Sequence, residues 1–196
     1  VNIIQKYLPL ILVSFVLGGC VGGTGRQEID KAMSLELSNT RKAEELYRSI
    51  IDSSKGSPQE TEARYRLGLV LIQNRRRAEG FEQLHKASEV NQHRPWSLFA
   101  EIEGLRSTTR FEESHLVNLS NELNSLPPSP LAGTRSLNLS RYTLVELSTK
   151  LDNPDLTLKF LETLTPELLP ESKKLVAFFY KGEALLDLNR GPEAEE

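Results

Sequence analysis

From Gln27 onward the apolar residues recur at steps of three and four, the spacing of one face of a helix, and polar residues fill the positions between. Prolines fall between the periodic segments, at Pro58, Pro95, Pro127, Pro128, Pro154, Pro170 and Pro192, where they can open or end a helix without breaking one. No stretch sustains the alternation of β-branched and polar residues that a half-buried strand requires. The pattern predicts an all-α chain of short helices. The first residues follow another rule. Lys6 is followed by an apolar run from Tyr7 to Leu17, too short to cross a bilayer comfortably and shaped like the core of a secretory signal.

Self-similarity refines the helical reading. The segment Thr61–Arg94, TEARYRLGLVLIQNRRRAEGFEQLHKASEVNQHR, places Leu67-Gly68, Leu71, Gly80, Leu84 and Ala87 at fixed intervals, with Pro95 just beyond. It resembles one tetratricopeptide (TPR) repeat, an antiparallel helix pair, with Arg64 as the poor match. That resemblance implies a TPR-like α-solenoid in which Gly68 and Gly80 stand where the two helices of a pair approach most closely. Gly182 and Ala194 repeat the same interval. Weaker copies begin near Pro95 and Asn138, and the stretch RKAEELYRSII supplies an earlier second helix. The small positions fall at Ala43, Gly80, Ser114, Thr157 and Ala194.

Repeats are thus expected over 28–126 and 136–196, separated by a Pro-rich linker at 127–135. The last repeat is expected to be cut short, because its second helix only begins at Ala194.

Leu17-Gly18-Gly19-Cys20 closes the signal segment and resembles the bacterial lipobox: an aliphatic residue, two small ones, then cysteine. The resemblance implies a lipoprotein signal peptide over 1–19, cleavage before Cys20, a diacylglycerol on its sulfur and an acylated amino terminus. Two or more acyl chains suffice for stable anchoring. Val21 follows in place of the Asp that marks inner-membrane retention in enteric bacteria, so the implied destination is the outer membrane, facing the periplasm. The bland alternative is an ordinary signal peptide followed by a lone buried cysteine. Gly22-Gly23-Thr24-Gly25 lacks the strand and the Lys-Ser or Lys-Thr of a phosphate loop, so residues 20–27 read as a flexible tether.

A net charge of −3 argues against a nucleic-acid binder held by bulk positive charge, and a single cysteine excludes an internal disulfide or a Cys-rich zinc site. In TPR proteins the first helix of each pair lines a concave wall. In this register the wall carries Tyr65, Phe99, Tyr142 and Phe179, with Leu69, Glu103, Glu146 and Glu183 one turn on. These eight are the expected partner-binding groove; the alternative is that the aromatics are packing residues. Arg75-Arg76-Arg77 could meet an anionic partner, or simply be solvated at a helix end. His85, His93 and His115 lack ligand spacing, so no metal is expected. Ser114-His115 has no nucleophile context. No catalytic set, and no cofactor, is expected.

The expectation is a non-enzymatic scaffold that binds another envelope protein and is held to the membrane through its lipid. Two alternatives stay open: the targeting arm of a larger envelope enzyme, and a soluble periplasmic module whose Cys20 is never lipidated.

Overall fold

A computed structural model describes residues 21–127 and 134–194; Cys20, the signal segment and most of the Pro-rich stretch lie outside them. Ten α-helices, and no strand, occur among the described residues. They are α1 (Val21–Leu35), α2 (Thr40–Ser53), α3 (Pro58–Gln73), α4 (Arg77–Ser88), α5 (Trp96–Gly104), α6 (Glu113–Ser125), α7 (Thr134–Thr149), α8 (Pro154–Leu161), α9 (Glu171–Asp187) and α10 (Gly191–Ala194).

Local chemistry sets the boundaries. Pro58 and Pro154 occupy first-turn positions, where the missing N–H costs nothing. Ser57, Asn39 and Asn153 accept hydrogen bonds from the backbone N–H groups of Glu60, Lys42 and Leu156. At the other ends, Arg75, Asp152 and Asn189 take positive φ (66°, 54° and 57°) and turn the chain sharply after α3, α7 and α9.

Each helix packs on the next, and alternate helices also touch: α1 on α3, α3 on α5, α5 on α7, α7 on α9. α3 is a shared wall. Ala63, Leu67, Val70 and Leu71 close a core with Ile29, Ala43, Tyr47 and Ile50 from α1 and α2. Tyr65 belongs to a second core that runs through Leu84, Phe99, Ile102, Leu119 and Val145 to Phe160.

The closest approach is between α3 and α4. A Cβ on Gly68 would stand 3.0 Å from the carbonyl oxygen of Gly80 and 2.8 Å from Leu84 Cγ. One on Gly80 would stand 2.7 Å from the carbonyl oxygen of Gly68 and 2.6 Å from Ile72 Cγ1. These gaps are below van der Waals contact and involve backbone, so the helices could not stay where they are.

The other small positions diverge. Ala43 and Thr157 are buried, and Thr157 shares a 2.9 Å hydrogen bond with Ser148 of α7. Ser114 is exposed, because the 3-10 turn Leu105–Ser107 and the open stretch 108–112 carry α6 away from α5 and onto α7. Ala194 is half-buried, and apart from Gly182's own chain neighbours and helix backbone no described atom lies within 4 Å of where a Cβ on Gly182 would stand.

The tether expected over 20–27 also diverges, for α1 is already helical at Val21. Ile29 and Ala32 are fully buried, and Arg26 reaches Glu62 of α3 at 3.1 Å and Asp30 at 2.7 Å. Tertiary contacts thus override the low helix propensity of the glycines. Of the linker expected at 127–135, residues 128–133 lie outside the described set, and α7 has begun by Thr134.

The two glycines predict opposite responses to one added methyl. Gly80→Ala should destabilise by about 1–3 kcal/mol through overpacking, lowering Tm by several degrees. Gly182→Ala should stabilise by up to about 1 kcal/mol through helix propensity alone. Thermal denaturation followed by circular dichroism checks both.

Candidate functional site

The eight groove candidates separate into three environments. Tyr65 and Phe99 are fully buried and meet Trp96 in an aromatic triad, with centroid separations of 5.5–5.9 Å and the Trp96–Phe99 pair edge-on. Arg66 lies over Trp96, its guanidinium carbon 5.1 Å from the ring centroid, and Glu62 holds that guanidinium at 2.9 Å. Leu69 is half-buried against the same core. This corrects the expectation of an open aromatic wall. α4 and α5 both close over α3, so Tyr65 and Phe99 have no surface to offer a partner.

Glu103, Tyr142 and Glu146 come together in a polar junction between α5, α7 and α9. Glu103 is 1% exposed and accepts a 2.6 Å hydrogen bond from the Thr143 hydroxyl. Arg106 reaches Glu103 at 3.5 Å and Glu146 at 3.4 Å. The Lys173 ammonium sits 3.9 Å from the centre of the Tyr142 ring. Burial raises the Glu103 carboxyl above its ordinary value, against the Thr143 hydrogen bond and the pull of Arg106. Burial lowers the Lys173 ammonium, against Glu146. Two acidic and two basic side chains meet here and tie α5, α7 and α9 together. Arg106 and Lys173 escaped the sequence reading because neither falls at a groove position of the expected register.

Phe179 and Glu183 stand apart on the open face of α9. Leu175 (70% exposed), Phe178 (61%), Phe179 (60%) and Leu186 (61%) follow the i, i+3, i+4 spacing of one helical stripe with Gly182 among them. Beside the stripe, α8, α9 and α10 enclose a cleft of about 410 Å³ with Leu158, Leu161, Leu164 and Leu185 in its lining and Lys181 and Arg190 among its charged residues. Large exposed apolar side chains that are contiguous, rather than scattered, mark a contact surface. This face is the candidate site.

Arg76 and the three histidines have structural partners. Arg76 bridges Glu44 of α2 at 2.7 Å and Glu79, which joins α2 to α4. His93 is buried with Nδ1 2.7 Å from the Thr61 hydroxyl, His85 pairs with Glu89 at 3.3 Å, and His115 lies 3.5 Å from Glu101. Among the described residues no group of three His, Cys, Asp or Glu side chains is placed to hold a metal, and no helix is long and apolar enough to cross a membrane. The chain matches no protein-family model, no curated protein and no solved structure.

Two outcomes follow. Phe99→Ala should cost about 3–5 kcal/mol, the value for a core aromatic, measured by urea denaturation. Glu103 binds its proton more tightly folded than unfolded, so its contribution to stability is present at low pH and lost as pH rises above 4.5, its ordinary value, through the raised one. Glu103→Gln keeps the Thr143 contact without the charge. It should leave stability near pH 4 unchanged and raise it at pH 7, flattening the pH profile of Tm.

Proposed function

We propose that this chain is a TPR-like scaffold, lipidated at Cys20, anchored in the outer membrane of a bacterium and facing the periplasm, that binds another envelope protein. The observation that carries the scaffold reading is the Gly68–Gly80 seam, where two helix backbones meet with no side chain between them. With contacts between alternate helices along the chain, it supports stacked helix pairs of the TPR type. Such arrays present surface for binding rather than assemble a catalytic centre.

The anchor rests on the sequence Leu17-Gly18-Gly19-Cys20, which lies outside the described residues. Fixing a binding module to one membrane raises its effective concentration beside partners on the same surface, so modest affinities suffice. The chain acts by holding a partner, without cofactor or metal, and its charge does not suit nucleic acid.

Cells expressing the full chain and fed radiolabelled palmitate should incorporate label into it, and Cys20→Ala should abolish incorporation and release the chain from the membrane fraction. Equal labelling of the two proteins, or none of either, refutes the anchor. In-cell crosslinking of the wild-type chain should recover an envelope protein that the unanchored Cys20→Ala variant recovers poorly.

A further inference from the structure

We propose that the end of the array carrying the α2–α3 turn, Ser54–Ser57, rests on the zwitterionic phospholipid headgroups of the membrane that holds Cys20. This deepens the anchored reading given above and rests on it. Val21 is already helical, Cys20 is the residue before it, and adjacent Cα atoms are about 3.8 Å apart. A diacylglycerol on the Cys20 sulfur has its glycerol within a few bonds of that residue's backbone. The first turn of α1 then lies within about 10 Å of the headgroup layer. Whatever the fold places beside that turn lies there with it.

Two short turns decide what stands beside it. Residues 36–39 and 54–57 each reverse the chain, so α1 and α3 run in the same direction and α2 runs against both. Contacts fix the level of one against the other. A Cβ on Gly25 would stand 3.4 Å from Gln59 Cγ, and Arg26 pairs with Glu62 at 3.1 Å. Ile29 and Ala32 share a core with Ala63 and Leu67. Gln59 follows directly on Pro58, which opens α3, and Gly25 lies one turn, about 6 Å, into α1. The α2–α3 turn, immediately ahead of Pro58, is thus level with Val21. The turn at 36–39 lies at the opposite end, about 22 Å away. Arg77 at the start of α4 shares that far end, because α3 runs the length between.

The near end is polar. Asp52, Lys55 and Gly56 are exposed. Glu60 in the first turn of α3 is already held by the Gly56 N–H at 2.6 Å and by Arg64 at 2.7 Å. Asp52 and Lys55 stand beside it as one exposed carboxylate and one exposed ammonium. They complement a zwitterionic phospholipid, whose phosphate suits Lys55 and whose ammonium suits Asp52. A pair with no net charge has no need of anionic lipid. At the far end Leu37 is 84% exposed. A bare leucine by itself would turn that end toward a bilayer, whereas lipid on Cys20 turns it away.

The full chain, purified with its lipid, is placed in vesicles of phosphatidylethanolamine and phosphatidylcholine that carry a nitroxide on a fraction of the headgroups. Ser53→Cys at the near end, and Leu37→Cys and Arg77→Cys at the far end, each add one thiol for a fluorophore, since Cys20 carries its lipid on sulfur. Quenching at position 53 should exceed that at positions 37 and 77 at least threefold. A flexible Gly-Ser segment of ~20 residues inserted between Val21 and Gly22 frees the body over roughly 25 Å, and should bring position 53 down to the other two. Equal quenching at the three positions, or stronger quenching at 37 or 77, overturns the proposal. So does quenching at 53 that is indifferent to the insertion, or that appears only when phosphatidylglycerol is added. Intact mass of each sample keeps the two readings apart. A lipidated chain with the wrong pattern removes the contact and leaves the anchor, whereas a chain without lipid removes both.

Discussion

Two helices can approach only as far as their facing side chains permit, and between α3 and α4 the limit is backbone against backbone. Gly68 and Gly80 each lie where a Cβ would fall within 2.6–3.0 Å of the other helix. That contact places α4 low on α3, which brings Leu84 and Ala87 to Tyr65 and leaves room for Trp96 and Phe99 to close from α5. α3 can therefore serve two cores at once, with Leu67 and Leu71 turned toward α1 and α2 and Tyr65 toward everything that follows.

Polar cross-links hold the ends that apolar packing leaves loose. Glu62 and Arg66 are buried side by side, and burying a charge pair is not by itself favourable. The Arg66 guanidinium recovers part of the cost against the Trp96 face, and Glu62 gains a second cation in Arg26. Asn138 plays a neutral counterpart near α9, where its side chain both accepts from and donates to the backbone of Thr165 at 2.8 Å. The 3-10 turn Pro166–Leu168 that leads into α9 is fixed through that contact. At the α5–α7–α9 junction, Thr143 and Arg106 share the task of keeping Glu103 inside.

Much of the helical layout was legible because its determinants are local. Prolines, asparagine caps and positive-φ turn residues act within a few positions of where they stand, and the close seam announces itself through two glycines. What each helix face meets is not local. Tyr65 and Phe179 occupy equivalent places in the register expected from the sequence, yet one is sealed by α4 and the other is exposed, and only the neighbouring helices decide which. The same reason hid Arg106 and Lys173, whose roles depend on three helices converging. Gly22–Gly25 read as loose because composition is loose there; the grip on that segment comes from Glu62, some forty positions away.

The early start of α1 changes the mechanics of anything fixed to its first turn. A Gly-rich leash lets a module swing freely about its attachment point. A helix running from Val21 to Leu35, clamped to α3 by Arg26, is a stiff strut of about 22 Å. On the proposed anchor, such a strut would leave little slack between the lipid and the packed helices.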